Sequence, residues 1–201
     1  MMNVFSIQGR NAKGDPISSL FFLAGGFGAN KDEDGLSVVP GPSNMTVVPT
    51  EVWENLTSIK VEAREFLADS GGPGQQRGGV GQRVAFRNET GHLLTVAFLG
   101  QRTTFPAHGM FGGGDGALRT YTVNGEPVNP KGRHVLKPGD DFVTHEAGAG
   151  GYGDPFKRPV EKVLSDVLEG LVSREAARSL YGVEVDLARR TAARVASAAA
   201  E

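Results

Sequence analysis

Glycine constrains this chain more than any other residue: 29 of its 201 positions are glycine, about twice the roughly 7% usual in proteins. The glycines fall in clusters with no fixed period, which excludes a collagen-like triple helix and a plain flexible linker. Clustered glycine between strand-like segments implies tight turns and close backbone approach. A packed core remains feasible, because hydrophobic residues make up 39% and charged residues 22% of the chain.

Composition removes several function classes. A net charge of −2 leaves no cationic surplus to displace counterions from a phosphate backbone, so nucleic acid is not an expected partner. With no cysteine, a disulfide scaffold, a thiolate zinc site and a cysteine nucleophile are all excluded. Residues 1–10 lack the basic-then-apolar pattern of a secretion signal. The longest apolar run, 20–24, falls far short of the about 20 residues that span a bilayer. The expectation is a soluble cytoplasmic protein with no membrane partner.

Two sequence regimes follow one another. Up to about residue 155, short β-branched or aromatic runs are punctuated by Gly, Pro and Asn. Strands are predicted over 17–23, 59–67, 83–87, 93–99, 118–123, 134–136 and 141–145. Asn88-Glu89-Thr90-Gly91 reads as a hairpin turn that makes 83–87 and 93–99 neighbours, and Asn124-Gly125 and Pro138-Gly139-Asp140 are further turns. One short helix is predicted over 51–56, capped by Thr50. After Pro159 the period lengthens to about 3.6. Val160, Val163, Leu164, Val167, Leu168 and Leu171 form an apolar stripe, with Gly170 as its C-cap. Ser173 caps a second helix closed by Gly182, and Asp186 is read as the cap of a third, alanine-rich helix running toward Glu201. The fold class is α+β: a mainly antiparallel, glycine-rich β body over 1–155 and a helical C-terminal extension over 156–201.

Residue chemistry alone yields no complete catalytic set. Asp69-Ser70-Gly71-Gly72-Pro73 matches the tract around a serine-protease nucleophile, but His92, His108, His134 and His145 all lie downstream of Ser70. The bland reading is a capped glycine turn. Gly148-Ala149-Gly150-Gly151-Tyr152-Gly153 contains GxGxxG, yet Asp154-Pro155 follows where a dinucleotide site needs a helix to open, so structural glycine is the better reading. The four histidines lack metal-ligand spacing, and no metal site is expected from this chain alone. There is no P-loop string. Asp140-Asp141 reads as a turn, and Trp53, Met110 and Phe111 as core or interface residues.

Five segments, taken together, resemble the hydantoinase B/oxoprolinase family, which includes the B-type subunit of N-methylhydantoinase, the corresponding half of 5-oxoprolinase and the alpha subunit of acetone carboxylase. Ala24-Gly25-Gly26-Phe27-Gly28-Ala29 with Asp34-Gly35 resembles the family's GGxGA…DG stretch. Ser43-Asn44 through Pro49-Thr50-Glu51-Val52 is similar to its SN…PxEV segment. Asp69-Ser70-Gly71-Gly72-Pro73-Gly74 through Arg77-Gly78-Gly79-Val80-Gly81 resembles DSGGxGxxRGGxG. Gly150-Gly151-Tyr152-Gly153-Asp154-Pro155 resembles GGGYGDP. Finally 163–182, with Asp166, Gly170, Val172-Ser173, Glu175-Ala176-Ala177 and Tyr181-Gly182, resembles the closing helices.

The resemblance implies the C-terminal portion, or a split subunit, of an ATP-dependent cyclic-amide hydrolase. Family members are more than twice as long, and their N-terminal half carries a His/Asp metal-binding constellation with no counterpart here. The implied partners are that N-terminal half, a hydantoinase A/oxoprolinase-type ATPase subunit and a small-molecule substrate. The implied cofactors belong to the complex rather than to this chain: ATP with Mg, and a divalent metal held by the other half. If this chain contributes to the site, the glycine tract is the expected place. Ser70 and Arg77 are weak catalytic candidates, and Asp69, Ser70, Gly71, Gly72, Arg77, Gly78, Gly79, Asn44 and Glu51 are substrate-binding candidates. Three alternatives stay open: a subunit of an ATP-dependent carboxylase, a non-catalytic assembly module, and an autonomous serine hydrolase acting through Ser70.

Overall fold

The computed structural model describes residues 2–40 and 48–195. Its strands are paired antiparallel throughout the named sheets. The first sheet has four strands in the order β2-β1-β5-β8, formed by β1 Met2–Arg10, β2 Pro16–Ala24, β5 Leu94–Phe98 and β8 Arg133–Leu136. The second has five in the order β3-β4-β9-β6-β7: β3 Ile59–Phe66, β4 Gln82–Asn88, β6 Thr120–Val123, β7 Glu126–Pro127 and β9 Asp141–His145. Alternation along each strand sends every second side chain between the sheets. Phe5 and Ile7, Phe21 and Leu23, Val84 and Phe86, Val96 and Phe98, with Phe142, form the buried core there. Trp53 from α1 Thr50–Thr57 closes one end of that core, 4.3 Å from the ring of Phe21.

The longest sheet contact, between β1 and β2, involves a strand that the sequence pattern does not announce. β1 pairs with β2 in full register from Met2 opposite Ala24 to Arg10 opposite Pro16. A second correction concerns 83–87 and 93–99, which are not hydrogen-bonded neighbours: β4 lies in the five-stranded sheet and β5 in the four-stranded one. The segment between them is a corner that carries the chain from one sheet to the other. Asn88 ties it down, donating through Nδ2 to the carbonyls of His92 at 3.0 Å and Lys137 at 2.9 Å, while its Oδ1 accepts the Thr90 hydroxyl at 2.7 Å.

The helix ends mostly follow their sequence signals. Ser173 caps α3 Arg174–Tyr181 by accepting the Ala176 N–H at 3.0 Å, and Gly182 closes it in the left-handed conformation. Gly170 takes the same conformation just beyond α2 Val160–Leu168. Thr50 does not cap α1, since Pro49 occupies that position and Thr50 is the first helical residue. The predicted third helix is corrected over its described residues; 196–201, into which it was expected to run, lie outside them. Residues 183–186 (β10) and 191–194 (β11) form a hairpin. Asp186 closes its turn, accepting the N–H groups of Ala188 and Arg189. Val183 and Val185 bury against Val163, Val172, Ala177 and Tyr181, so burial overrides the helical preference of alanine. Among the described residues no helix is long and apolar enough to cross a membrane.

Candidate functional site

Beside the sandwich, four glycine-rich stretches stack backbone on backbone: 25–36, 69–81, 107–117 and 146–153. The Gly26 N–H donates to Ala147 O at 3.1 Å, Gly79 N–H to Phe27 O at 2.8 Å, Gly72 N–H to Ala149 O at 2.8 Å and Ala117 N–H to Ser70 O at 2.8 Å. Glycine is required here by proximity. A Cβ on Gly148 would stand 1.7 Å from Ser70 O, and one on Gly26, Gly78 or Gly81 would stand 1.9 Å from a carbonyl oxygen. None of these four has the positive φ that would by itself favour glycine. The GxGxxG string at 148–153 belongs to these layers, and the next α-helix begins only at Val160.

The tract Asp69 to Gly81 threads the middle of the stack. Asp69 sits at φ 60 and accepts the Ser173 N–H at 2.7 Å, linking the tract to the start of α3. Ser70 is buried; its hydroxyl donates to Leu67 O at 2.6 Å and accepts the Gly81 N–H at 2.8 Å. Gly72, Gly78 and Gly79 each face carbonyl oxygens of neighbouring layers, and Gly71 faces Gly78 O of its own tract. Glu51 stands apart, exposed in the first turn of α1. Asn44 lies outside the described residues.

Arg77 is buried and belongs to a charge network that the spacing of the sequence does not reveal. Its Nε donates to Asp166 Oδ1 at 3.2 Å and its Nη1 to Gly78 O at 2.7 Å. Arg158, also buried, grips Asp34 with both terminal nitrogens, at 2.6 and 3.0 Å, and donates to Asp166 Oδ2 through Nε at 3.0 Å. Asp34 further accepts the Arg77 N–H at 2.7 Å, with Lys162 at 3.7 Å. Burial, the largest single effect, pushes the Asp34 carboxyl upward, but the Arg158 fork, the Arg77 N–H and Lys162 together outweigh it and hold the group below its ordinary value. Asp166 goes the other way: its burial dominates and raises it despite both arginines. The two aspartates thus titrate in opposite directions inside one network. Asp34 and Arg77 come from the glycine layers and Asp166 from α2, so the network clamps the helical segment onto the layers.

Two further polar clusters went unsignalled. Glu146, fully buried after β9, accepts Arg119 Nε at 2.8 Å and Asn3 Nδ2 at 2.7 Å, while the Tyr121 hydroxyl donates to Asn3 Oδ1 at 2.9 Å. Burial raises both the carboxyl and the phenol. This cluster joins β1, β6 and the start of the glycine layer across the sandwich. On the rim, His108 Nδ1 lies 3.0 Å from Asp115 Oδ2, and Asp115 Oδ1 accepts the Gly109 N–H at 2.9 Å. Those two bonds hold the exposed Asp115 carboxyl below its usual value. Met110 and Phe111 are exposed on the same loop rather than packed in the core, with the Phe111 ring 4.9 Å from Tyr152. Among the described residues no three His, Asp or Glu side chains converge as metal ligands.

The family profile for hydantoinase B/oxoprolinase matches residues 1–155. Caprolactamase subunit beta of Pseudomonas jessenii is 32% identical over 199 residues, an alignment covering 92% of this chain and 34% of that subunit. An ATP-dependent caprolactamase from Pseudomonas jessenii superposes with a TM-score of 0.78 at 24% identity, over 92% of this chain and 34% of that one. A nucleotide-free acetone carboxylase gives a TM-score of 0.77 at 21% identity, over 95% and 31%. The chain therefore spans about a third of the length of these relatives. Interlocked glycine layers beside an antiparallel sandwich, a profile match over most of the sequence and an alignment to a curated relative that runs nearly end to end place this chain in the hydantoinase B/oxoprolinase family.

Proposed function

We propose that this chain is the C-terminal portion, or a split subunit, of an ATP-dependent cyclic-amide hydrolase of the hydantoinase/5-oxoprolinase type. The observation that carries the reading is the 32% identity over 199 residues to a caprolactamase subunit beta, because it extends through the glycine layers and the helical segment alike. On this reading residues 1–155 and 156–201 form a β-rich body and a tail that work in the cytoplasm with two partners. An N-terminal B-type portion holds a divalent metal, and an A-type subunit uses ATP with Mg. This chain's part is to supply a frame whose backbone cannot shift, with the tract at Asp69, Ser70, Gly71, Gly72, Arg77, Gly78 and Gly79 fixing from within the surface that meets the substrate portion of the assembly. Within that frame Ser70 and Arg77 act through the backbone they fix.

The test is purification from the protein's own host with copurifying chains identified, followed by ATP hydrolysis with and without caprolactam, hydantoin or 5-oxoproline. ATP hydrolysis stimulated by a cyclic amide supports the reading. An assembly that hydrolyses no ATP with any of the three, or an active chain with no partner, overturns it. A carboxylase with the same fold is distinguished by turnover that requires bicarbonate.

A further inference from the structure

The two sheets of the sandwich turn very different faces outward. On the five-stranded sheet the outward positions carry Lys60, Glu62, Glu65, Arg83, Arg87 and Asp141. They pair with one another: across strands, Arg83 with Glu65 at 2.8 Å and Arg87 with both Glu62 and Asp141 at 3.7 Å, and along β3, Lys60 with Glu62 at 3.6 Å. That is the wet side expected of an antiparallel sheet. The four-stranded sheet breaks the pattern. Its pairing aligns Val4 with Phe22, and Ser6 with both Leu20 and Ala97, all opposite in sense to the buried Phe5, Ile7 and Phe21. Val135 stands beside Thr95 on the same side, and Leu99 continues it beyond β5. Leu20, Leu99 and Val135 are 54%, 64% and 62% exposed. Around them lie the uncharged Val4, Ser6, Gln8, Phe22, Thr95 and Ala97, with charge only at the margins, Arg10 at the hairpin end and Arg133 on the edge strand.

Four strands about 4.8 Å apart, each running about five residues at about 3.3 Å, make a face of roughly 300 Å², comparable to the largest patch on an ordinary monomer, which is often functional. No described helix packs over it: α1 lies on β3, and α2 and α3 pack against each other and the β10–β11 hairpin. The relatives supply the occupant. About two thirds of a caprolactamase subunit beta lies outside the part matched here, and the same holds for the solved chains. β1 lies in the middle of this sheet, flanked by β2 and β5.

We propose that the outer face of the four-stranded sheet is the docking surface for the remainder of a B-type chain, which packs apolar side chains onto Leu20, Ala97 and Val135. The inference rests on reading this chain as one piece of a B-type assembly. Benzoylphenylalanine placed at Leu20 or Val135 of the full chain in its own host, and at Thr122 on the opposite sheet, tests it by photocrosslinking and mass spectrometry of the linked peptides. The expected result is linkage from Leu20 and Val135, and not from Thr122, to peptides of the remaining B-type sequence. Linkage to a second copy of this chain, to an unrelated protein, equally from Thr122, or to nothing at all overturns the proposal. A second readout uses Leu20→Glu with Val135→Glu. It should lower copurification of the B-type remainder at least tenfold while the isolated chain melts as before, and Thr122→Glu should leave copurification unchanged. Undiminished copurification of the double variant counts against the face. Crosslinks at this face in an assembly without amide-stimulated ATP hydrolysis would sink the proposed function and leave the docking surface standing. An active assembly crosslinked elsewhere would do the reverse.

Discussion

Between the sheets, Phe5, Phe21, Phe86 and Phe142 fill space with rings whose centroids lie 4.5 to 5.5 Å apart. In the layers beside them, Gly26, Gly78, Gly81 and Gly148 let two backbones meet by having no side chain at all. The sandwich is held by apolar burial, which tolerates another residue of similar volume. The layers are held by N–H···O bonds between stretches that have no regular strand pairing, and their spacing tolerates no Cβ. One region should accept many sequences and the other few, which is why the family resemblance is legible in the glycine tracts.

The largest expected effect therefore comes from the smallest change. Gly148→Ala places a methyl 1.7 Å from Ser70 O, which already accepts the Ala117 N–H at 2.8 Å. Two layers must part to admit it, at a cost of about 4 kcal/mol or more, and Gly148→Ser should fare no better. Chemical denaturation of both variants checks this. A loss below about 1 kcal/mol would show that the layers can breathe and would erase the contrast. Phe86→Ala comes next, with about 3–5 kcal/mol lost to transfer and cavity terms. Phe86→Leu should recover most of that loss, the rescue denied to Gly148.

Arg158→Gln probes where the two regimes are joined. It leaves Asp166 buried with Arg77 alone and Asp34 without its fork, and removing one partner of a buried network costs about 3 kcal/mol. The expected signature is local. Amide exchange should rise in α2, α3 and the β10–β11 hairpin before it rises in β4 or β9. Uniform loss of protection would mean that tail and layers unfold as one unit.

Legibility followed the same division. Short β-branched or aromatic runs bounded by turn residues exposed 17–23, 83–87 and 141–145, because such side chains pack on a pleated, half-buried surface. Period-two alternation missed β1, where Val4, Phe5, Ser6 and Ile7 blur the pattern because the outer face is also partly apolar. It paired 83–87 with 93–99 because a turn string cannot tell a hairpin from a corner between sheets; that choice depends on Asn88 reaching Lys137, 49 residues away. The alanine-rich end looked helical because propensity is local, whereas the burial of Val183 and Val185 is not. At the candidate site, glycine spacing located the tract, but no local string says that Arg77 will meet Asp166, 89 residues on. His108 and Asp115 did lie within one short segment, and their spacing was the available signal.

Asp34→Asn has the smallest expected effect and separates the two aspartates of the network. Because its folded carboxyl lies below the ordinary value of about 3.9, ionised Asp34 contributes stability that is fully present above that value and is lost as pH falls through the folded one. Asp166, raised by burial, has the opposite sign: its protonated form is favoured in the fold, so stability falls as pH climbs through its window. Replacing Asp34 with Asn near neutral pH should cost about 1.5–3 kcal/mol, the range for a hydrogen bond to a charged group. Below about pH 4 the difference should shrink, since the wild-type carboxyl is then being neutralised as well. Denaturation midpoints of the two proteins from about pH 7 to about pH 2.5 give the comparison. Converging curves on the acid side support the Arg158–Asp34 fork as the ionised member of the clamp. Curves that stay parallel down to the lowest pH would transfer that role to Asp166 and leave Asp34 a neutral hydrogen-bond acceptor.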